Sequence, residues 1–221
     1  MERWASFDCY GTLIDWNGGI RAELARLWPY ADADALLARY HQHEPRVEAE
    51  SPRMPYRDVM AVALRRVAHD EGLALDPDDR GGLGASLPSW PAFPEVPEAL
   101  AEARRRGWKL AILSNTDRDL IEASKRRIGT PFELEIVAGE IGSYKPARGH
   151  WERFFAETGA DRTAHVHVAG SLFHDISPAG ELGLRSIWIN RLGERAGLEE
   201  PTRELPDLSA LAETLDELAP A

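Results

Sequence analysis

A doubly wound, Rossmann-like α/β fold with an inserted all-helical cap is predicted by three features of this 221-residue chain. Short apolar, β-rich runs at 4–7, 110–113, 165–169 and 186–189 alternate with helix-period segments, the pattern of a parallel sheet covered on both faces. One stretch, from Trp16 to about Pro91, breaks the alternation and reads as helices only. With 43% hydrophobic residues the chain can bury one sizeable core and carry a modest second lobe.

The first strand, 4–7, runs into Phe-Asp-Cys-Tyr-Gly-Thr-Leu at 7–13, where Gly11 lets the backbone turn without a Cβ penalty. Helical patterns follow at 19–28, 34–43 and 56–71, with a weaker one near 78–87. Pro88, Pro91 and Pro94 then make a linker that cannot continue a helix and suits a hinge or crossing strand. Beyond it come a helix at 96–106, the strand 110–113 and a helix at 117–127 that Asp117 is placed to cap. A fifth strand fits 135–137. Helices at 147–157 and 178–182 flank the strand 165–169, and a terminal helix starts near Asp207. The reading is therefore an α/β core made of residues 1–15 and 92–221, with residues 16–91 inserted as a helical cap over the crevice at the strand ends.

Charge and composition exclude several function classes. A net charge of -11 and a pI near 5.1 argue against nucleic acid, whose phosphates would be repelled. The basic triplet Arg104–Arg106 ends a helix, where positive charge suits the macrodipole. Cys9 is the single cysteine, which excludes an internal disulfide and a cysteine zinc cluster and fits a reducing compartment. Strand alternation turns Cys9 away from Asp8 into the core. No window approaches the roughly 20 apolar residues of a membrane span, and the first ten residues lack a signal-peptide pattern, so a cytoplasmic protein is expected. The seven histidines form no helix-face ligand pair with an acid, and His165 and His167 merely alternate on a strand.

Four segments carry chemistry-bearing residues, each after a predicted strand. Asp8 stands at the carboxyl end of the first strand, where open α/β sheets place ligands. Tyr10 stands two residues later; a second acid there would supply the proton that an alkoxide leaving group needs, and a tyrosine suits a leaving group needing none. Ser114-Asn115-Thr116 follows the second strand and leads into a helix whose N-terminus favours an anion. Lys145, in Gly-Ser-Tyr-Lys-Pro, emerges from a loop, and Asp175 lies just beyond the strand 165–169. Taken singly, each has a bland reading as a capping turn, a solvated lysine or a helix cap.

Taken in order, these segments resemble the haloacid dehalogenase superfamily over essentially the whole chain, and Asp-Cys-Tyr-Gly-Thr-Leu-Ile-Asp-Trp is similar to its 2-haloacid dehalogenase branch. The resemblance implies that Asp8 is the nucleophile, that Ser114 and Asn115 bind the anion, that Lys145 steadies Asp8, and that Asp175 closes the site. It also aligns Arg39 with an arginine that dehalogenases use to hold halide, with Arg57 as an alternative cation. Aligned on Asp175, Gly170 stands where phosphatase relatives carry a metal-binding aspartate. With Tyr10, this removes two acids from a magnesium site, so no metal or other cofactor is expected. Gly170 and Leu172 also replace polar residues of the dehalogenases, and His174 an aromatic one.

The chemistry follows. Asp8 attacks the carbon bearing the leaving group and inverts it, and water then hydrolyses the aspartyl ester to release a 2-hydroxy acid. Asp175 is the candidate base, Thr12 a donor to Asp8, and Tyr10, Ser114, Asn115, Arg39 and Ser171 the candidate substrate-binding residues. Trp16, Trp90 and Phe173 suit an apolar wall. The expected partner is a small 2-halocarboxylate or similar anion, without nucleic acid or membrane, and the resemblance allows a homodimer. Three alternatives stay open: a phosphatase of the same superfamily acting on a small phosphate ester, a hydrolase of another activated carbon centre, and a binding protein that has lost catalysis.

Overall fold

A computed structural model describes residues 2–198 and 200–220. Six parallel strands form one sheet in the order β3-β2-β1-β4-β5-β6. They are β1 (Arg3–Phe7), β2 (Trp108–Ser114), β3 (Leu134–Val137), β4 (His165–Ala169), β5 (Arg185–Ile189) and β6 (Arg203–Leu205). Five lie within a few residues of the predicted runs. The sixth was not predicted: it is a three-residue, mostly exposed edge strand, too short and too polar to leave a period-2 pattern.

Alternation along β1 sorts its side chains onto two faces. Ala5 and Phe7 enter the main core, while Trp4 joins Trp151 and Phe154 beneath the other face. That second layer is α8 (Gly149–Thr158) and α9 (Ser177–Glu181), and the one-turn α7 (Ala138–Ile141) follows β3. On the first face lies α5 (Val96–Arg105), which buries Val96, Ala99, Leu100 and Ala103 at helical spacing. It packs beside α6 (Arg118–Ile128) and the terminal α10 (Leu211–Leu218). The basic triplet at the end of α5 is spent on ion pairs, Arg104 with Glu133 at 2.6 Å and Arg106 with Glu102 at 2.6 Å.

Residues 16–89 are helical: α1 (Trp16–Leu27), α2 (Ala33–Glu50), α3 (Tyr56–Asp70), a 3-10 turn Pro77–Asp79, α4 (Gly82–Ser86) and a 3-10 turn Leu87–Ser89. The chain leaves and re-enters the sheet region at adjacent points, with the Asp15 N–H donating to Pro91 O at 2.9 Å and the Phe93 N–H to Leu13 O at 3.0 Å. Two expectations are corrected here. The second helix was expected to end at residue 43, before Pro45, yet α2 runs through that proline to Glu50. Pro45 forfeits one helical bond, but Leu36, Tyr40, Val47 and the glutamates at 44 and 48 are all buried, and such packing outweighs local propensity. Asp117 was expected to cap its own helix; its carboxylate instead accepts the N–H groups of Tyr56 (3.0 Å) and Arg57 (3.1 Å), capping α3 across space.

The sheet order reverses at β1, with β2 on one side and β4 on the other, so the carboxyl ends of these strands open the crevice where such folds bind ligands.

Candidate functional site

Asp8 leaves the end of β1, Ser114 ends β2, and Asp175 lies on a π-helical turn, Leu172–Ile176, directly after β4. All three line one cavity of about 460 Å³ beneath α1 and α2. Gly11, at φ +85°, makes the turn that releases the chain from Asp8. Gly170 lets the first and fourth motifs approach: a Cβ there would lie 3.0 Å from the Gly11 carbonyl oxygen.

Lys145 is the centre of the constellation. Its fully buried ammonium donates to Asp8 Oδ1 at 2.9 Å, to Asp175 Oδ1 at 2.6 Å and to the Leu113 carbonyl at 2.9 Å, using all three of its N–H donors. Asn115 holds the loop that delivers it: the Lys145 N–H donates to Asn115 Oδ1 at 2.7 Å, and Asn115 Nδ2 donates to the Lys145 carbonyl at 3.0 Å. Thr12 donates to Asp8 Oδ2 at 2.8 Å and accepts the Gly170 N–H at 2.8 Å, tying the first and fourth motifs together.

Burial raises Asp8 above the ordinary carboxylate range, against the pull of Lys145. Burial also works to raise Asp175, but Lys145 and His167 outweigh it and hold that carboxyl well below its ordinary value. Burial disfavours the Lys145 ammonium, and the two carboxylates more than reverse this, so the lysine stays charged. The trio is thus a buried, hydrogen-bonded cluster in which a charged lysine joins the two acids. Among the described residues, Asp175 Oδ2 and Ser114 Oγ, both from residues lining the cavity, are buried without hydrogen-bond partners.

Behind Asp175 runs a buried relay that the sequence reading missed. His167 Nε2 lies 3.0 Å from Asp175 Oδ1, His167 Nδ1 lies 2.8 Å from Ser6 Oγ, and Ser6 Oγ lies 2.8 Å from His165 Nε2. Because the Asp175 carboxylate accepts, His167 Nε2 is the donor to it. Burial pushes His165 down to about 3, so it is a neutral member of the relay. The available signal was the i, i+2 spacing of 165 and 167, which puts both rings on one face of β4. Only the β1–β4 pairing, Ser6 opposite His167, shows what they meet.

The other expected residues divide. Tyr10 lines the cavity, but its hydroxyl bonds Ser124 Oγ at 3.0 Å and its ring stacks on Tyr56 with centroids 6.3 Å apart. Burial raises that hydroxyl far above its ordinary value, which disfavours loss of its proton. Ser171 lines the cavity and caps the π-helical turn, accepting the His174 N–H at 3.0 Å. Trp16 lines the cavity and donates to Tyr56 Oη at 3.1 Å. Arg39 is not brought to the site: it lies on the half-exposed face of α2, paired with Glu71 at 2.9 Å. Arg57 is spent on Gly84 and Asp119. Trp90 is buried against Gly19, and Phe173 is exposed. Cys9 is buried in the main core, as strand alternation required.

What α2 does present to the cavity is His41, Glu44, Pro45 and Glu48. The loop after β5 adds Arg191, whose guanidinium stacks over Phe93 at 3.6 Å and bonds Glu95 at 2.6 Å and the Thr12 carbonyl at 2.9 Å. Neither the glutamates nor Arg191 was expected from sequence.

A divalent cation does not suit this donor set. The Lys145 ammonium already bridges the two aspartates, Tyr10 and Gly170 supply no carboxylate, and an acid at 170 would meet backbone at its Cβ. Among the described residues, no group of three or more histidine, cysteine, aspartate or glutamate side chains is arranged to hold a metal.

A doubly wound sheet with an aspartate at the end of its first strand, a lysine bridging that aspartate to an acid after the fourth strand, and helices over the crevice defines a class of hydrolase. Residues 3–183 match the family of haloacid dehalogenase-like hydrolases, and the chain belongs to that family. It is 30% identical to the (S)-2-haloacid dehalogenase of Pseudomonas sp. (strain YL), over 97% of this chain and 94% of that one. Its fold is similar to a crystal structure of an L-2-haloacid dehalogenase, with a TM-score of 0.87 and 24% identity over 97% of this chain and 99% of that chain. It is also similar to the L-2-haloacid dehalogenase of Xanthobacter autotrophicus with chloropropionic acid covalently bound, with a TM-score of 0.83 and 20% identity over 97% and 98% of the two chains. Among the described residues, no helix is long and apolar enough to cross a membrane.

Proposed function

We propose that this hydrolase displaces halide from a 2-halocarboxylate through an ester on Asp8, in the manner of the (S)-2-haloacid dehalogenases it resembles, with residues 16–91 acting as the cap and no metal required. The observation that carries the reading is the Lys145 ammonium held between Asp8 and Asp175. It pulls Asp8 toward its ionised form against the effect of burial, aims it, and balances the second carboxylate that hydrolysis of an ester needs.

In the first step an Asp8 oxygen attacks C2 from the face opposite the halide. The new carbon–oxygen bond forms as the carbon–halogen bond breaks, the halide departs with its electron pair, and C2 is inverted. No proton is needed on the leaving group, in keeping with a Tyr10 hydroxyl engaged elsewhere. In the second step Asp175 Oδ2, the oxygen left unpartnered, takes a proton from water, and the water oxygen attacks the ester carbonyl of Asp8. On collapse the ester carbon–oxygen bond breaks, the leaving alkoxide takes a proton to become the 2-hydroxy acid, Asp8 returns with one oxygen from water, and the remaining proton passes to solvent, leaving Asp175 a carboxylate again. His167 positions Asp175, and Thr12 positions Asp8. The buried Ser114 hydroxyl is the donor for the substrate carboxylate.

The experiment is release of chloride from L-2-chloropropionate and of phosphate from p-nitrophenyl phosphate, each with EDTA and with added magnesium. Chloride release untouched by EDTA is expected. Magnesium-dependent phosphate release without chloride would overturn the reading.

A further inference from the structure

The wall of the cavity opposite the sheet is acidic. The cap supplies no lysine or arginine to it among the described residues, and Lys145 has no N–H to spare. Instead α2 points two carboxylates inward, Glu44 and Glu48, one helical turn apart and 6% and 4% exposed. Two buried carboxylates on one helix face repel each other, and each loses hydration unless a partner replaces it. Glu48 has partners: His174 Nε2 at 3.6 Å and the Asn115 amide at 3.3 Å. Glu44 has one, the Tyr56 hydroxyl at 2.9 Å, and its Oε2 has none among the described residues. His41 does not answer it, since its ring stacks on Trp16 at 5.0 Å and bonds Asn17 Oδ1 at 3.0 Å.

Two further polar atoms of the same cavity, Ser114 Oγ and Asp175 Oδ2, are buried without partners among the described residues, so the cavity is built for a ligand with polar groups at more than one point. Its volume of about 460 Å³ also leaves room beyond a three-carbon acid.

We infer that Glu44, supported by Glu48, is a subsite for an ammonium group, and that the substrates belong to the class of small acids carrying an amine a few bonds from the reacting carbon. This rests on the reading of the cavity as the substrate site of Asp8. Such a substrate spans the cavity with its carboxylate at Ser114, its reacting carbon over Asp8, and its ammonium against α2. The ionisation of Glu44 fits this placement: burial and the neighbouring Glu48 raise it to about 8 against the pull of His174, and an ammonium ion beside it favours the carboxylate.

The test uses pairs that differ only in an ammonium replacing a methyl. Binding of 4-amino-2-hydroxybutanoate and 2-hydroxypentanoate, both products of the proposed reaction, is measured by calorimetry on the wild-type enzyme and on Glu44→Gln. Turnover of 4-amino-2-chlorobutanoate and 2-chloropentanoate is measured by chloride release. Binding of the amino compound about tenfold tighter, with the ratio collapsing in Glu44→Gln, is expected. Equal or weaker binding of the amino compound, failure to detect its binding, or a ratio that survives in Glu44→Gln overturns the subsite. The wild-type ratio decides the matter even where the variant fails to fold. If the ammonium preference holds in binding while neither chloro acid releases chloride, the dehalogenase reading alone has failed. If 2-chloropentanoate is turned over as well as its amino analogue, the subsite alone has failed.

Discussion

Replacing Lys145 by methionine removes the ammonium from between Asp8 and Asp175 while leaving a side chain of similar length. Both Oδ1 atoms touch the same nitrogen, at 2.9 and 2.6 Å, so they lie within about 5.5 Å of each other. At an effective dielectric near 20, two carboxylates that close repel by at least about 3 kcal/mol, a cost hidden in the wild-type enzyme by the lysine. Lys145→Met exposes that cost, and one of the two acids takes up a proton. Since 1.36 kcal/mol corresponds to one pH unit, the acid limb of kcat/KM moves upward by about two units. The sign follows from the roles: Asp8 attacks, and Asp175 takes a proton, only when ionised, so activity is lost as pH falls, and it is lost at a higher pH in the variant. The assay is chloride release from L-2-chloropropionate between pH 5 and 10, with circular dichroism to verify folding. Breaking one side of a buried pair also lowers stability by roughly 3–5 kcal/mol. A folded variant whose acid limb coincides with that of the wild type would refute the argument.

Asp8→Asn abolishes turnover, and a single turnover of the wild-type enzyme in 18O-water gives a 2-hydroxy acid whose new oxygen is unlabelled; a labelled product in that first turnover would mean direct attack by water. His167→Phe removes the donor to Asp175 Oδ1 and slows ester hydrolysis more than ester formation, by roughly tenfold or more, so a burst of halide precedes a slower steady state; absence of a burst with unchanged kcat counts against a positioning role. His150 and His165, both pushed down to about 3 chiefly by burial, must charge when the protein unfolds at acid pH. Their contribution is complete above their unfolded value near 6.5 and is lost as pH falls toward 3, at up to about 1.4 kcal/mol per pH unit for each. Urea unfolding at pH 7 and pH 5 reads this, and equal stabilities would contradict it.

Much of this protein is written in local pattern. Five of the six strands and the positions of Asp8, Ser114 and Asp175 follow from apolar runs ending in polar turns, since a parallel strand buried on both faces leaves a continuous apolar signature, while Lys145 was singled out by the family resemblance. That Asp8 and Asp175 share one lysine is legible only as far as both follow strands of a doubly wound sheet. The rest depends on what faces what. Arg39 stands on a helix that was expected, though only as far as residue 43, and it is not turned toward the cavity, because the phase of α2 against the crevice is set by packing rather than by its own sequence. Glu48 reaches the cavity one turn beyond Glu44 because α2 continues past Pro45, where buried contacts override a local rule against helix. The relay of His167, Ser6 and His165 joins residues about 160 positions apart through the pairing of β1 with β4. Sequence periodicity determines which elements form and which end of the sheet bears the chemistry. Strand order, register and helix phase, which arise only when the whole core packs, decide the charges that surround the nucleophile.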